Sequence, residues 1–487
     1  MSTATATGPI TCRFHAGGDW RASAATAFDE VHDPATGAVI ARTPRCTREE
    51  VDAAVAGAHE AYLSWRRVPA PVRARVLFRY RDLLDRHADE LAHLVTREHG
   101  KTLDDARGEV LRGMEVVEFA CGIPSLLMGE TLNDVSTRID SHSFRLPIGV
   151  AVGITPFNFP MMVPLWSMPI AVACGNAFVF KPSEKVPLTA MRLVELFYEA
   201  GLPAGVVSIV HGAREQVEQL IDHPLVRAVS IVGSSAAAAA VYARAAAAGK
   251  RVQALGGAKN HMVVMPDCDL DQTVEAVINS AFGSAGQRCM AGSVAVAVEP
   301  VADRFLQRLA ARAGALRLGP GDGAGCELGP LVSAPQRDRV TGYIELGLAE
   351  GATLLLDGRE RAAGDGYFLG ATIFDRVTPS MRIAREEIFG PVLSVVRVAS
   401  LAEALEVVNR SEMGNAGVIF TRDGGAARTF TLECEAGMIG VNVGVPVPMA
   451  FFPFAGWKGS FFGDLHAHGK DGVRFYTEQK VVTARYF

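Results

Sequence analysis

The stretch Ala228-Val229-Ser230-Ile231-Val232-Gly233-Ser234-Ser235 predicts a buried strand, a turn of small residues and the beginning of a helix. The alanine-rich run from Ala236 to Ala248 continues the helix, since alanine has the highest helix propensity, and Gly249 ends it. Free backbone N–H groups at such a helix N-terminus bind phosphate. That signal is weak alone, and no GxGxxG fingerprint follows any predicted strand.

The same alternation of strand and helix extends to both sides of this stretch. Other runs rich in valine and isoleucine lie before it, at 149–154, 177–181 and 206–210, with a helix predicted at 187–200. A second series spans 260–442, with strands predicted at 294–298, 353–356 and 394–398. The pattern predicts an α/β fold with two doubly wound parallel-sheet domains and a cleft between them.

The two ends of the chain carry other patterns. Residues 15–44 predict a β-hairpin region, and Thr47 with Glu50 predicts a capping box for a helix that ends at Trp65. A second long helix is expected to run to about His99 and to end at Gly100. Residues 472–487 alternate as an edge strand, which favours pairing with another subunit.

Bulk composition excludes several classes of protein. The net charge is −5 with no block of like charge, which argues against nucleic acid and anionic membranes as partners. The eight cysteines form no CxxC pair, which argues against a zinc site and a disulfide framework. We therefore expect no bound metal. No apolar run reaches membrane-spanning length and the N-terminus has no signal-peptide pattern, so we expect a cytoplasmic protein.

One cysteine has a setting suited to chemistry. Cys289 lies in Gly283-Ser284-Ala285-Gly286-Gln287-Arg288-Cys289-Met290-Ala291-Gly292, after a helix predicted at 273–281. Small neighbours let a carbonyl approach the sulfur, and an arginine and backbone N–H groups can stabilise a thiolate. A lone cysteine is more often a buried structural residue, so this interpretation depends on the other segments.

Three further segments place polar groups where α/β folds bind ligands. Thr155-Pro156-Phe157-Asn158-Phe159-Pro160 holds an asparagine between aromatic and proline residues. The strand at 177–181 ends in Lys181-Pro182-Ser183-Glu184, which presents a cation and a carboxylate at its carboxyl end. Glu386-Glu387-Ile388-Phe389-Gly390-Pro391 follows later in the chain.

Together these segments resemble the aldehyde dehydrogenase superfamily, whose motifs occur here in the family's order. The resemblance implies that Cys289 attacks an aldehyde carbonyl and that the Asn158 side chain and the Cys289 N–H form an oxyanion hole. It implies NAD as the cofactor, with contacts from Thr155, Phe157, Lys181, Glu184, Gly233, Ser234, Glu387 and Phe389. Since a carboxylate at Glu184 repels a 2′-phosphate, NAD is expected in preference to NADP.

The segment Gln253-Ala254-Leu255-Gly256-Gly257-Ala258-Lys259 departs from the superfamily pattern. The superfamily has a glutamate here that activates water to hydrolyse the acyl-enzyme. Alignment on Lys259 puts Leu255 at this position, whereas alignment on the two glycines puts Ala254 there. Neither side chain can act as a base, so another nucleophile must release the acyl group.

One branch of the superfamily lacks this glutamate, and this chain is similar to that branch, the CoA-acylating methylmalonate-semialdehyde dehydrogenases. The resemblance rests on Gly257-Ala258-Lys259-Asn260-His261, Gln287-Arg288-Cys289-Met290-Ala291 and Phe461-Phe462-Gly463-Asp464-Leu465-His466. It implies coenzyme A as co-substrate, a malonate or methylmalonate semialdehyde as substrate, and acetyl-CoA or propanoyl-CoA with CO2 or bicarbonate as products. Arg112 and Arg288 match the arginines that hold the substrate carboxylate.

The resemblance also implies an arrangement of domains and an oligomer. Residues 1–125 and 145–255 are expected to form the NAD-binding domain and 256–445 the catalytic domain. Residues 126–144 and 467–487 are expected to form a β oligomerisation arm, giving a homodimer or homotetramer. Two alternatives stay open: a hydrolytic NAD(P)-dependent aldehyde dehydrogenase that releases a free acid, and a non-catalytic binding protein on the same fold.

Overall fold

The computed structural model describes residues 8–361 and 365–487. Residues 1–7 lie outside this part. They make up most of the N-terminal segment in which the sequence predicts no targeting signal. The strands in chain order are β1 (Ile10–Thr11), β2 (Phe14–Ala16), β3 (Asp19–Arg21), β4 (Phe28–His32), β5 (Val39–Pro44), β6 (Thr131–Ser136), β7 (Ile139–Pro147), β8 (Val150–Ile154), β9 (Ala177–Lys181), β10 (Val207–Ile209), β11 (Val226–Val232), β12 (Arg251–Leu255), β13 (Asn260–Val264), β14 (Gly292–Val298), β15 (Thr353–Leu356), β16 (Thr372–Asp375), β17 (Val392–Val398), β18 (Met413–Gly414), β19 (Ala416–Phe420), β20 (Met438–Val441), β21 (Trp457–Lys458), β22 (Phe461–Phe462) and β23 (Thr477–Arg485).

The helices alternate with these strands over most of the chain. They are α1 (Arg48–Trp65), α2 (Ala70–Arg86), α3 (Ala88–His99), α4 (Leu103–Cys121), α5 (Ile123–Leu126), α6 (Met162–Cys174), α7 (Pro187–Glu199), α8 (Arg214–Asp222), α9 (Ser235–Ala247), α10 (Leu270–Phe282), α11 (Ala302–Gly314), α12 (Ala334–Ala349), α13 (Arg382–Arg385), α14 (Leu401–Asn409), α15 (Gly424–Glu433) and α16 (Gly469–Phe475).

Two large sheets form the framework. The first has the order β22-β12-β11-β8-β9-β10-β2-β3, and its five central strands are parallel. The second has the order β15-β16-β17-β14-β13-β19-β20 and is parallel except for β15, which pairs antiparallel with β16. Both sheets have helices packed on them, as the doubly wound pattern predicted. The antiparallel edge strands are the difference from a purely parallel arrangement.

A third sheet stands apart from these two and contains β23, β7 and β6 in that order. Thr477 to Arg485 pairs antiparallel with Ile139 to Pro147 along its whole length. Most of β23 is exposed, and its other edge has no partner strand within the described residues. The boundaries of the three predicted domains stay a prediction.

Two local predictions from the sequence were wrong. The second long helix is broken at His87, whose φ of −104° and ψ of 15° leave the helical region, so α2 and α3 are separate helices. Residues 472–475 belong to α16 and not to the closing strand, because Val473 and Phe475 are both buried in the core of the first half of the chain. Gly469, Gly472, Val473 and Tyr476 are all buried, and their spacing of three and four residues is that of one helix face and not of a strand.

Other local predictions are confirmed. The Thr47 hydroxyl accepts a hydrogen bond from the Glu50 N–H, and the Glu50 carboxylate accepts one from the Thr47 N–H, which completes the capping box of α1. Gly100 ends α3 in the left-handed conformation, with φ of 91°. No helix in the described residues is both long and apolar enough to cross a bilayer, and a cytoplasmic location stays a prediction.

Candidate active site

The loop that carries Cys289 has an unusual backbone. After α10 a short 3-10 turn spans Gly283–Gly286, and Ser284 and Ala285 adopt left-handed φ values of 50° and 52°. Residues other than glycine rarely adopt this conformation, which costs about 1–3 kcal/mol and is found mainly at functional sites. A Cβ atom on Gly286 would lie 2.1 Å from the carbonyl oxygen of Gly390, so only glycine fits there.

Two buried asparagines fix the peptide of Cys289. Its carbonyl oxygen accepts hydrogen bonds from Asn260 Nδ2 at 2.9 Å and from Asn415 Nδ2 at 3.1 Å. Asn260 also donates to the Ala291 oxygen at 2.9 Å. Sequence reasoning gave no role to either asparagine. The sequence did carry a signal for a role of Asn260, because this polar residue stands at the first position of the buried strand β13.

The Cys289 thiol is not in a disulfide, and the residue is partly exposed. Burial, followed by the negative charge of Glu387, raises its pKa to about 12. The N–H groups of Cys289 and Met290 and the charge of Arg288 lower the pKa, but they do not outweigh burial. These groups act in the direction that the sequence predicted, and stabilisation of a thiolate during the reaction stays a prediction.

Asn158 lies beside the nucleophile, as predicted. Its side chain is buried, and Nδ2 donates to the Gln287 carbonyl oxygen at 3.1 Å. Asn158 and Cys289 line one cavity of about 280 Å³ together with Pro156, Phe157, Val232, Gly233, Ser234, Gly256, Gly257, Gln336, Arg339, Glu387 and Phe389. An amide donor and a sulfur nucleophile thus face the same small space.

A second cavity of about 650 Å³ continues from the first and shares Pro156, Phe157 and Gly233 with it. Its lining includes Thr155, Lys181, Glu184 and apolar side chains of α8 and α9. The Lys181 ammonium donates to the Gly212 carbonyl oxygen at 2.9 Å and lies 3.9 Å from a Glu184 carboxylate oxygen. Burial lowers the pKa of Lys181.

The N-terminus of α9 lies where the two cavities meet. Ser234 caps this helix, since its hydroxyl accepts a hydrogen bond from the Ala237 N–H at 3.3 Å. The helix N-terminus carries partial positive charge and free N–H groups, which suit a pyrophosphate. Three features therefore follow one another toward Cys289: an apolar slot for a flat base, polar groups for ribose hydroxyls, and this helix end. The residues fit a dinucleotide.

Glu387 and Phe389 close the other side of the Cys289 cavity. Glu387 Oε1 accepts a hydrogen bond from the Ala258 N–H at 3.0 Å, and burial raises the pKa of its carboxyl. Phe389 has a left-handed φ of 59°, and its ring packs edge to face on Phe157 with centroids 5.7 Å apart. The structure thus gathers the predicted cofactor contacts around two joined cavities.

The two arginines predicted to hold a substrate carboxylate have different surroundings. Arg288 forms an ion pair with Asp105 and also donates to Ser284 Oγ at 3.3 Å and to Asn279 Oδ1 at 3.1 Å. Protein oxygens contact its guanidinium, which here anchors the Cys289 loop to α4, and its role as a carboxylate contact stays a prediction.

Arg112 lies on α4, the helix that carries Asp105, and is more accessible than Arg288. Its guanidinium donates to Glu115 at 2.8 Å and contacts the Met449 sulfur at 3.2 Å, and 39% of its side chain is exposed. Arg112 is not among the residues that line the two cavities described above, and its role as a carboxylate contact stays a prediction.

The structure distinguishes the two alignments of the missing glutamate. Leu255 belongs to the apolar cluster that contacts Cys289, together with Met290. Ala254, the preceding residue of β12, belongs to the cluster on the opposite face of the sheet. Position 255 therefore lies on the side of β12 that this cluster covers, position 254 lies on the opposite side, and the residue at 255 is apolar.

Two acidic residues of α4 were also missed by sequence reasoning. Asp105 accepts from the Ser284 N–H at 2.9 Å as well as from Arg288, so it holds the Cys289 loop. Glu109 forms a buried ion pair with Lys101 beneath the Asn158 loop. No cluster of potential metal ligands occurs among residues 8–361 and 365–487.

Comparisons with known proteins agree with this geometry. The model of the aldehyde dehydrogenase family matches residues 20–482. Malonate-semialdehyde dehydrogenase 2 of Geobacillus thermodenitrificans is 58% identical over 472 residues, which cover 96% of this chain and 98% of that protein. A malonate-semialdehyde dehydrogenase of Halalkalibacterium halodurans is 54% identical over 471 residues, which cover 96% of this chain and 97% of that protein.

Solved structures show the same fold. The methylmalonate-semialdehyde dehydrogenase of Oceanimonas doudoroffii superposes with a TM-score of 0.96 at 46% identity, covering 98% of both chains. A Sinorhizobium meliloti structure complexed with NAD superposes with a TM-score of 0.97 at 44% identity, covering 99% of both chains.

Proposed function

This chain belongs to the aldehyde dehydrogenase family, and from that premise we propose that it oxidises malonate or methylmalonate semialdehyde with NAD and transfers the acyl group to coenzyme A. The observation that carries the proposal is the apolar Leu255, which lies in the core cluster against which Cys289 packs and occupies the position where a hydrolytic enzyme needs a base. The names of the relatives above support the substrate class, and the NAD complex of one of them supports the cofactor.

The first step belongs to Cys289 and Asn158. The Cys289 sulfur adds to the aldehyde carbon once its proton has left, and the carbonyl oxygen becomes an alkoxide. The Asn158 amide and the Cys289 N–H donate hydrogen bonds to this oxygen. Removal of one oxyanion-hole donor typically costs about 10²–10³ in rate.

Oxidation converts the resulting thiohemiacetal into a thioester on Cys289. NAD bound in the two cavities supplies the hydride acceptor for this conversion. Lys181 and Glu184 would hold the adenosine ribose, the N-terminus of α9 with Ser234 the pyrophosphate, and Glu387 the ribose next to the reacting carbon. The carboxylate of Glu184 favours NAD over NADP because it repels a 2′-phosphate.

Release of the acyl group needs a nucleophile other than water, since Leu255 cannot take a proton. The bond between the α-carbon and the β-carboxylate breaks, the carboxylate leaves as CO2, which with water gives bicarbonate, and a proton replaces it at the α-carbon. The coenzyme A thiol then attacks the acyl carbon, and the Cys289 sulfur leaves and regains a proton. The products are acetyl-CoA from malonate semialdehyde and propanoyl-CoA from methylmalonate semialdehyde.

A pre-steady-state experiment tests this order of events. Mixing the protein with NAD and a semialdehyde, but without coenzyme A, should give a burst of NADH close to one per active site and then a slow phase. Coenzyme A should restore turnover, and mass spectrometry should identify an acyl-CoA. Cys289→Ala should abolish the burst and keep NAD binding.

Other outcomes would favour the alternatives. Fast release of a free acid without coenzyme A would contradict the proposal and support a hydrolytic enzyme. Absence of NADH formation with every aldehyde tried would support a non-catalytic binding protein. The presence of Cys289 and Asn158 in one cavity argues against that last outcome.

We also propose that the protein forms a homodimer or homotetramer through the third sheet. The unpaired edge of β23 can accept another strand, and exposed apolar side chains lie along this sheet, including Leu132, Val135 and Val481. Association would cover both features.

A further inference from the structure

A buried ion pair lies beneath the loop that carries Asn158. The Lys101 ammonium donates to Glu109 Oε2 at 2.7 Å and to the backbone oxygen of Asn158, also at 2.7 Å. Neither charged side chain has any exposed surface. Lys101 Nζ also lies 4.2 Å from the centroid of the Phe159 ring, so the cation contacts two consecutive residues of the loop.

The other oxygen of Glu109 holds the far end of the same segment. Glu109 Oε1 accepts hydrogen bonds from the N–H groups of Met161 at 2.8 Å and Met162 at 3.1 Å, where α6 begins. The pair therefore fixes both ends of residues 158–162. Since Lys101 follows α3 and Glu109 lies on α4, the loop is tied to a helical layer outside the sheet.

The Asn158 side chain depends on this support for its direction. Within the described part of the chain, Nδ2 donates to the Gln287 oxygen alone, and an amide nitrogen has two N–H donors. The second donor is free for a substrate oxygen in the cavity shared with Cys289. A shift of the Asn158 backbone would move this donor relative to the sulfur.

We propose that Lys101 and Glu109 are positioning residues that hold the Asn158 amide against the reacting carbonyl oxygen. Burying two charges is costly, and a buried pair contributes little net stability compared with apolar residues of similar size. A fixed position for one catalytic donor accounts for the pair better than stability does. The inference depends on the role of Asn158 in the proposed function.

The test uses variants that avoid an unpaired buried charge. In Lys101→Met/Glu109→Gln both charges are removed, and the glutamine keeps an acceptor for the Met161 and Met162 N–H groups. Stopped-flow measurement of NADH formation in one turnover, at saturating NAD, should show a loss of about 10- to 100-fold, as expected for a misplaced catalytic group. The semialdehyde concentration at half-saturation should stay unchanged, because the donor acts on the developing alkoxide.

Arg73 supplies a matched control. It is a buried cation that donates to backbone oxygens, including Ala173 at 2.9 Å, but it does not contact the Asn158 loop. Arg73→Met should lower the melting temperature and leave the single-turnover rate unchanged. Equal slowing by Arg73→Met would mean that general destabilisation explains the loss, and it would overturn the proposal.

A double-mutant cycle with Asn158→Ala separates positioning from structure. Asn158→Ala alone should slow hydride transfer, and adding the Lys101 and Glu109 changes should then cause no further loss. A loss that multiplies with that of Asn158→Ala would overturn the positioning role and leave the proposed function intact. If Asn158→Ala alone kept the wild-type rate, the oxyanion role within the proposed function would fail, and the positioning role with it.

A milder variant covers the case in which the double variant does not fold. Glu109→Gln keeps Lys101 and its bond to the Asn158 oxygen but weakens the pair. It should slow hydride transfer by a smaller factor and show the same dependence on Asn158. A wild-type rate in folded Glu109→Gln, with the melting temperature lowered, would overturn the proposal.

Discussion

Placing a carboxylate at position 255 should convert acyl transfer to coenzyme A into hydrolysis. The Leu255 side chain is 4% exposed and lies in the apolar cluster against which Cys289 packs. In Leu255→Glu the new carboxyl would enter an apolar space, and burial raises the pKa of such a group. General-base catalysis is worth about 10²–10⁴ in rate when the base is ionised.

Another glutamate of this protein gives the scale of the pKa. Glu98 is fully buried, and burial raises the pKa of its carboxyl to about 7 although it accepts hydrogen bonds from the N–H groups of Leu188 at 2.8 Å and Thr189 at 3.0 Å. Burial should likewise raise the pKa of a glutamate at position 255. If roughly a tenth is ionised at neutral pH, free-acid release without coenzyme A should rise about 10- to 10³-fold.

The assay is steady-state NADH formation without coenzyme A, with the free acid quantified by mass spectrometry. The rate should rise with pH as the new carboxyl ionises. The matched control is Leu255→Gln, which has a similar shape but cannot take a proton. Both changes remove a buried leucine and should cost about 1.5–3 kcal/mol of stability.

Two results would refute this reasoning. Equal hydrolysis by Leu255→Gln and Leu255→Glu would show that water entry, and not a base, limits the wild type. Faster hydrolysis in Ala254→Glu than in Leu255→Glu would show that the wrong residue has been placed opposite the sulfur, since Ala254 lies on the other face of β12.

Three further predictions test other parts of the site and assembly. Arg112→Ala should lower kcat/KM for a semialdehyde about 10- to 100-fold through loss of a charged hydrogen bond of about 1.5–3 kcal/mol, and equal loss with propanal would mean that the residue is structural. Because burial and Glu387 raise the Cys289 pKa to about 12, alkylation by iodoacetamide without NAD should accelerate tenfold per pH unit from pH 7 to 10. Glu387→Gln should speed alkylation at each pH by lowering that pKa, and a plateau near pH 8 would contradict the assignment. A chain that ends after Tyr476 lacks β23 and should show a smaller mass by light scattering, and an unchanged mass would exclude this strand from the interface.

The fold could be predicted well where local patterns agree with tertiary packing. The strands around Gly233 appear as runs of β-branched residues, and α1 has a complete capping box, so their positions followed from the sequence. The break at His87 could not be predicted because no glycine or proline marks it. Residues 472–475 were mistaken for strand because their helix depends on burial against α6.

The site could be predicted in its main groups but not in the groups that hold them. Cys289 and Asn158 are separated by 131 positions, and the family resemblance connected them. The partner of Arg288 is Asp105, 183 residues away, and adjacency to Cys289 in sequence said nothing about the direction of its side chain. Tertiary contacts also determine the roles of Lys101 and Glu109.

The contact between Gly286 and the Gly390 carbonyl has a consequence for how this enzyme can evolve or be redesigned. The loop of the nucleophile and the loop of Glu387 and Phe389 touch without room for a methyl group, so neither can be replaced alone. Libraries that aim at new aldehydes should leave both loops intact as one module. Diversity belongs instead on the exposed face of α4 near Arg112 and in the neighbouring chain around Met449, where side chains have space to change.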